Sequence, residues 1–212
     1  MPNSQSPIPN DKLTAIILVG GKSSRMGQDK SLLPINGIPL LLRVYQVAIA
    51  CAKTVYLVTP WQERYQDLLP ENSRFIREEL QLGETQGPLV AFSQALTQAQ
   101  TQAQTQAQTE WVLLLACDLP KLKIETLQAW AEKLVDVRED AIAFLAHHPK
   151  GWEPLCGFYR QNCLLQLNEF IDQGGRSFQQ WLNQSTVEIL PSTETSIFFN
   201  CNTPEDLAKT AE

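Results

Sequence analysis

Two short runs of almost uninterrupted apolar residues constrain the fold of this chain most. The first is LTAIILVG at residues 13–20, and the second is EWVLLLACDLP at residues 110–120. A strand without polar alternation is buried on both faces, which is the pattern of a strand in a parallel sheet covered by helices. The two runs therefore predict the most deeply buried strands of a layered sheet.

Strand-like and helical patterns alternate along most of the remaining chain. Further strands are predicted at residues 54–59, 74–78, 141–146, 153–160 and 187–191, and helices at residues 38–52, 88–96, 123–135, 161–172 and 177–184. Such alternation is typical of an α/β fold with a mainly parallel sheet and right-handed crossovers. The predicted fold class is therefore α/β.

The length of 212 residues fits a single domain. We expect residues 1–12 to form a short disordered tail and residues 13–212 to form the domain. The repeat TQAQTQAQTQAQ predicts a low-complexity helical extension over residues 97–109, because Ala and Gln favour helices.

Charge and cysteine usage limit the setting in which the protein works. The formal net charge of −6 argues against a nucleic-acid partner, which would require a basic surface. The five cysteines form no CxxC pair, and their odd number indicates reduced thiols. No apolar stretch reaches the length of about 18 residues that a membrane span needs. These features predict a cytoplasmic protein without a membrane partner.

The first apolar run ends in the loop GGKSSRMGQDK, for which three interpretations compete. A P-loop would need a glycine at the position that Ile16 occupies, so that interpretation fails. The dinucleotide fingerprint GxGxxG also fails, because Gly20 and Gly21 are adjacent. A surface turn with solvated cations remains an alternative, but it leaves the glycine pair and the clustered cations unexplained.

The third interpretation is a loop that wraps the phosphates of a nucleoside triphosphate. Glycines allow the main chain to approach phosphate oxygens and to present N–H groups to them. Arg25 is suited to bind two phosphate oxygens, and Lys30 supplies a mobile point charge. The ligand would then lie beyond the carboxyl end of the first strand, where open α/β sheets bind ligands.

Asp118 is the best candidate for a metal-binding carboxylate. It follows the second apolar run, and its strand is expected to end at the same edge of the sheet as Gly20. Mg²⁺ on a triphosphate takes one or two protein carboxylates and retains several waters. The alternative is that Asp118 caps the helix predicted after Pro120.

The stretch LVGGKSSRMGQDKSLLPINGIPLL, within residues 18–42, resembles the signature of nucleotidyltransferases built on a Rossmann-like sheet, and is most similar to the molybdenum cofactor guanylyltransferases. Weaker similarities are GPL at 87–89, ACDLP at 116–120, GGRSFQQWL at 174–182 and FFNCNTPEDL at 198–207. The resemblance implies a three-layer α/β/α fold of the nucleotide-diphospho-sugar transferase type.

The resemblance also implies an activity: transfer of GMP from GTP to the terminal phosphate of molybdopterin or molybdenum cofactor, with release of pyrophosphate. Mg²⁺ would be the cofactor, and molybdoenzyme clients or cofactor-insertion proteins would be transient partners. A glycine pair in the loop accompanies guanine nucleotides in this family. The alternatives are a cytidylyltransferase, a sugar-phosphate nucleotidyltransferase, or a non-catalytic protein that delivers nucleotide or cofactor.

Site residues follow from the same resemblance, position by position. The catalytic set is Arg25, Lys30 and Asp118, with Asp118 also the metal ligand. The nucleotide-binding set is Leu18, Val19, Gly20, Gly21, Lys30, Glu78 and Asp118, where Glu79 is the alternative to Glu78. The acceptor-binding set is Arg176, Asn200 and Asn202, and the alternative for the two asparagines is to cap the last helix.

Overall fold

The computed structural model describes residues 13–20, 29–103, 110–191, 195–201, 203 and 206. Its strands are β1 (Leu13–Leu18), β2 (Pro34–Ile35), β3 (Ile38–Pro39), β4 (Thr54–Thr59), β5 (Arg74–Arg77), β6 (Trp111–Ala116), β7 (Ala143–Leu145), β8 (His147–His148), β9 (Gly151–Trp152), β10 (Cys156–Arg160) and β11 (Val187–Ile189). Its α-helices are α1 (Leu40–Cys51), α2 (Pro88–Ala103), α3 (Ile124–Ala131), α4 (Leu164–Asp172) and α5 (Phe178–Asn183).

Seven strands form one sheet in the order β11-β7-β10-β6-β1-β4-β5. Strand β10 runs antiparallel to both of its neighbours, and the other adjacent pairs are parallel. The two apolar runs become β1 and β6, which pair with each other near the middle of the sheet. The prediction of a mainly parallel α/β sheet is therefore confirmed.

Helices cover both faces of this sheet. Helices α1 and α3 pack on one face, against a core that includes Ala15 and Ile17 of β1. Helices α2, α4 and α5 pack on the other face, where Ile16 of the same strand points. Because successive side chains of a strand point to opposite faces, an apolar residue at every position is what this double coverage requires. The predicted three-layer α/β/α arrangement is confirmed.

The register of the parallel strands brings four chain segments to one edge of the sheet. Leu18 at the end of β1 pairs with Val58 of β4 and with Ala116 of β6. Thr59 at the end of β4 pairs with Arg77 of β5. The residues that follow these strands therefore emerge side by side, and we call this edge the carboxyl rim.

Two of the predicted segments fall wholly or partly outside the described residues. The tail at residues 1–12 lies outside them, as do residues 104–109 of the low-complexity extension, whose earlier part continues α2 to Ala103. Within the described part of the chain, no helix combines the length and the apolar character needed to cross a membrane. All five cysteines are buried free thiols, as their odd number predicted.

Candidate active site

A cavity of about 370 Å³ opens at the carboxyl rim. Seven of the residues predicted to bind nucleotide, metal or acceptor line it, namely Leu18, Val19, Gly20, Lys30, Glu78, Asp118 and Asn200. They come from five separate segments of the chain, so the folding of the sheet is what brings them together. The volume falls in the range of small-molecule and cofactor sites.

The charged centre of the cavity is an ion pair between Lys30 and Asp118. Lys30 lies on a single 3₁₀ turn, Lys30–Leu32, and its ammonium group donates a hydrogen bond to Oδ2 of Asp118. Only 18% and 13% of the two side chains are exposed. The pair is therefore shielded from water on most sides, and this shielding strengthens its interaction with a charged ligand.

The second carboxylate oxygen of Asp118 is available to a ligand. Oδ1 is buried and has no hydrogen-bond partner among the described residues. A buried oxygen without a partner is costly, so its presence at the cavity wall indicates that a bound group completes its coordination. A hard cation such as Mg²⁺ fits this oxygen, because it prefers oxygen ligands and shares its coordination sphere with phosphates and water.

The described residues do not contain an all-protein metal cage. No group of three or more His, Cys, Asp or Glu side chains converges within that part of the chain. The described lining of the cavity offers the carboxylates of Asp118 and Glu78, and one or two carboxylates suit a cation that arrives with a nucleotide.

Gly20 begins the loop that follows β1. Its φ of +150° lies in a region that residues with a Cβ atom rarely adopt. The turn away from β1 therefore requires glycine at this position. The next eight residues, 21–28, lie outside the described residues, so the predicted roles of Gly21 and Arg25 stay predictions.

Glu78 follows β5 and faces the cavity, whereas its neighbour Glu79 is exposed. Glu78 is 7% exposed, and burial raises the pKa of its carboxyl group. Its backbone N–H donates to Thr59 O at 3.1 Å, and the backbone N–H of Glu79 donates to Oε1 of Gln94 at 2.9 Å. The geometry therefore favours Glu78 over Glu79 for contact with a cavity ligand, although its role stays a prediction.

The start of α2 forms a wall that the sequence analysis did not include in the site. Thr85, Gly87, Pro88 and Ala91 line the cavity there. Gly87 has a φ of +92° and accepts a hydrogen bond from the Ala91 N–H at 3.1 Å. The N-terminus of a helix carries a partial positive charge that favours anions. The signal was present in the motif GPL, which was noted only as a similarity.

The three predicted acceptor residues are not gathered at one place by the described structure. Asn200 lines the cavity. Arg176 is exposed and is not among the lining residues, and its Nη1 donates to the carbonyl oxygens of Ile171 and Gly175 at 2.8 and 2.7 Å. Asn202 lies outside the described residues. The acceptor-binding roles therefore stay predictions.

The residue after Asn202 provides the cap that was the alternative role for the asparagines. Thr203 Oγ1 accepts a hydrogen bond from the Asp206 N–H at 3.1 Å, and Asp206 Oδ2 accepts one from the Thr203 N–H at 3.0 Å. This reciprocal arrangement is a capping box. Thr203 therefore supplies the cap of this turn, and Asn200 lines the cavity.

The fold and the cavity together define a nucleotide-binding α/β enzyme of the nucleotidyltransferase class. The domain family described as "MobA-like NTP transferase domain" matches residues 15–187. The chain belongs to this family.

Relatives of high identity carry names that agree with this membership. The chain is 57% identical to a protein of Nostoc sp. named probable molybdenum cofactor guanylyltransferase, over 93% of this chain and 90% of that protein. It is 43% identical to a protein of the same name from Synechococcus elongatus, over 91% and 94% of the two chains.

Solved structures agree with the fold. The crystal structure of molybdopterin-guanine dinucleotide biosynthesis protein A from Archaeoglobus fulgidus matches with a TM-score of 0.72 at 22% identity, over 93% of this chain and 96% of that one. A putative protein from Aquifex aeolicus matches with a TM-score of 0.67 at 28% identity, over 90% and 93%. At this level of identity, the first match is a likeness of fold.

Proposed function

We propose that the protein transfers GMP from GTP to the terminal phosphate of molybdopterin or molybdenum cofactor and releases pyrophosphate. The observation that carries the proposal is the Lys30–Asp118 pair, set with Gly20 and Glu78 around one cavity at the carboxyl rim. The name of the relative at 57% identity supports the choice of GTP and of the acceptor.

The reaction joins an oxygen of the acceptor phosphate to the α-phosphorus of GTP. The bond between that phosphorus and the oxygen bridging to the β-phosphate breaks, and pyrophosphate leaves with the electron pair. Because the acceptor phosphate is already ionised, no side chain needs to remove a proton or form a covalent intermediate. Catalysis then depends on positioning the two phosphates and on neutralising their charge.

Side chains of the cavity supply that positioning. Lys30 brings its ammonium group to the phosphates from the turn that ends the loop. Gly20 and Gly21 let the backbone approach them, and Arg25 binds phosphate oxygens from the same loop.

Asp118 would hold Mg²⁺ through Oδ1, the buried oxygen that has no hydrogen-bond partner among the described residues. When bound, the ion neutralises phosphate charge and orients the triphosphate. We propose Asn200, Asn202 and Arg176 as acceptor contacts. Of these, Asn200 has the support of a place in the cavity wall.

The cellular setting is proposed on chemical grounds. Five free thiols suit the reducing cytoplasm. The product is a dinucleotide cofactor, so a molybdoenzyme or a cofactor-insertion protein would receive it through a transient contact.

Product analysis tests the function directly. The purified protein is incubated with molybdopterin, Mg²⁺ and one of GTP, CTP, UTP or ATP, and the products are identified by mass. We expect the guanine dinucleotide and pyrophosphate from GTP alone. A cytosine dinucleotide would show that the protein uses CTP instead of GTP. Nucleotide binding without any product would indicate a delivery protein.

Replacing Glu78 with Gln is expected to raise the KM for GTP by about tenfold, since a hydrogen bond to a charged group contributes about 1.5–3 kcal/mol. The matched control is Glu79→Gln, which changes the exposed neighbour and should leave KM unchanged. Steady-state kinetics with GTP distinguish the two. A higher KM for Glu79→Gln alone would transfer the role to Glu79.

Glu78→Gln is also expected to stabilise the ligand-free protein, although it weakens the use of GTP. Since burial raises the pKa of Glu78 in the folded state, the unfolded state binds fewer protons between the two pKa values, and stability falls as pH rises through that window. Glu78→Gln should therefore melt higher than the wild type at neutral pH. The difference should disappear below the unfolded pKa of about 4.3.

A further inference from the structure

A buried tyrosine outside the cavity lining makes contact with the segment that carries Lys30. Tyr65 lies between β4 and β5 and is 1% exposed. Its hydroxyl group donates a hydrogen bond of 2.6 Å to Oδ2 of Asp29, which lies 36 residues earlier in the chain. Burial and the neighbouring Asp29 carboxylate raise the pKa of Tyr65, so the hydroxyl keeps its proton and remains a donor.

The other oxygen of the same carboxylate fixes the turn that carries Lys30. Asp29 is the N-cap of the 3₁₀ turn Lys30–Leu32, and its Oδ1 accepts a hydrogen bond from the Ser31 N–H at 3.0 Å. One carboxylate thus joins Tyr65 to the backbone N–H of Ser31 within the turn. Because both oxygens are bonded, neither the side chain nor the turn can rotate without losing a contact.

Three consecutive residues of this segment connect it to two other parts of the structure. Asp29 is bonded to Tyr65, Lys30 pairs with Asp118, and the Ser31 hydroxyl lies 3.2 Å from Sγ of Cys117. Cys117 and Asp118 both follow β6, so the turn is held between β6 and the segment after β4. Without the Tyr65 contact, the turn would lose its side-chain hydrogen bond to the segment after β4.

A lysine that must meet a phosphate benefits from such support. Its flexible four-carbon stem loses considerable rotamer freedom when the ammonium group is fixed in one place. A rigid turn beneath the stem reduces the number of positions available to the ammonium group. Small displacements of a catalytic charge lower rates far more than they lower ground-state binding.

We propose that Tyr65 is a positioning residue for nucleotidyl transfer, which acts through Asp29 to hold Lys30 at the phosphate site. The inference rests on the proposed roles of Lys30 and Asp118. Tyr65 itself makes no contact with the substrate, since it is not among the residues that line the cavity.

The test is Tyr65→Phe, which keeps the buried ring and removes only the hydroxyl group. We expect kcat for pyrophosphate release to fall by about tenfold, the size of effect that loss of a hydrogen bond to a charged group produces. The KM for GTP, and the affinity for an analogue with a methylene bridge between the α- and β-phosphates, should stay within about threefold of the wild type.

Tyr45→Phe is the matched control. Tyr45 is also buried, at 7% exposed, and its hydroxyl accepts a hydrogen bond from Ser73 Oγ at 3.1 Å. It lies on α1 and does not line the cavity. The two variants should have similar melting temperatures, and Tyr45→Phe should keep wild-type kcat.

Combination with Lys30→Ala shows whether Tyr65 acts through the lysine. In that background, Tyr65→Phe should cause no further loss of kcat, because the side chain that it positions is gone. A full additional loss in the double variant would overturn the inference, as would a Tyr65→Phe enzyme with wild-type kcat. Failure of the proposed function is distinct, because the wild-type protein would then form no guanine dinucleotide.

Discussion

Replacing Asp118 with Asn is expected to reduce pyrophosphate release from GTP and molybdopterin by at least about 10³-fold. Asn preserves the shape of the side chain but has no charge, so it binds a hard cation poorly. It also removes the carboxylate charge of Asp118 that lies beside Lys30, in a site where 18% of the lysine side chain is exposed. The variant would therefore lose the metal that neutralises the phosphates and also the negative charge that balances the Lys30 ammonium group.

Two measurements make the Asp118 prediction specific. In the wild type, Mg²⁺ should tighten binding of a non-reactive GTP analogue in calorimetry, and in Asp118→Asn the affinity should be the same with and without Mg²⁺. The matched control is Asp140→Asn. Asp140 is exposed, its Oδ2 lies 2.7 Å from Nη2 of Arg138, and it is not among the residues that line the cavity. Turnover of Asp118→Asn within about tenfold of the wild type would contradict the metal-binding role.

Replacing Lys30 with Ala is expected to lower kcat by about 10²–10³-fold, by analogy with the loss of one preorganised donor at a developing negative charge. The ammonium group lies beside the carboxylate proposed to hold the metal, so it can contact the same phosphates. The effect should fall mainly on kcat, since the additional negative charge on the leaving pyrophosphate begins to develop only in the transition state.

The control for Lys30 is Lys53→Ala. Lys53 is exposed and precedes β4, at the opposite edge of the sheet, where its N–H donates to Leu13 O. Removing its charge changes the net charge of the protein by the same amount but should leave kcat unchanged. Near-normal turnover by Lys30→Ala with Mg-GTP would show that another group neutralises the phosphates.

Much of the fold could be predicted from local patterns. The strands β1 and β6 were predicted as deeply buried because an apolar residue at every position has no solvent-facing side. The short hairpin β2–β3 was missed, although Asn36 and Gly37 form its turn with φ values of +51° and +79°. Asn-Gly is a strong hairpin signal, but strands of two residues carry too little alternation to be noticed.

The order of the strands could not be predicted in the same way. Strand β10 enters the sheet antiparallel between β7 and β6, so that a strand late in the sequence lies beside a central one. Such pairings join residues far apart in the chain, and no local pattern records which strands will pair.

The candidate site shows the same division between local and long-range information. Gly20 and Asp118 were recognisable because each follows an apolar strand, and Lys30 was recognisable as a cation of the loop after the first strand. The choice between Glu78 and Glu79 was not, because two adjacent residues of the same type differ only in the side of the chain to which they point. The register of β5 against β4 and the alternation of side chains along the chain direct Glu78 toward the cavity.

Local patterns in the amino acids were enough to predict the class of fold, the edge of the sheet that carries the chemistry, and the residue types found there. The contact of Lys30 with Asp118, 88 residues later, and the support of Asp29 by Tyr65 from a third segment could be seen in the folded chain but not predicted. This difference arises because periodicity and turn chemistry are local properties of the chain. Contact between distant side chains depends on strand order, register and the packing of both layers of helices.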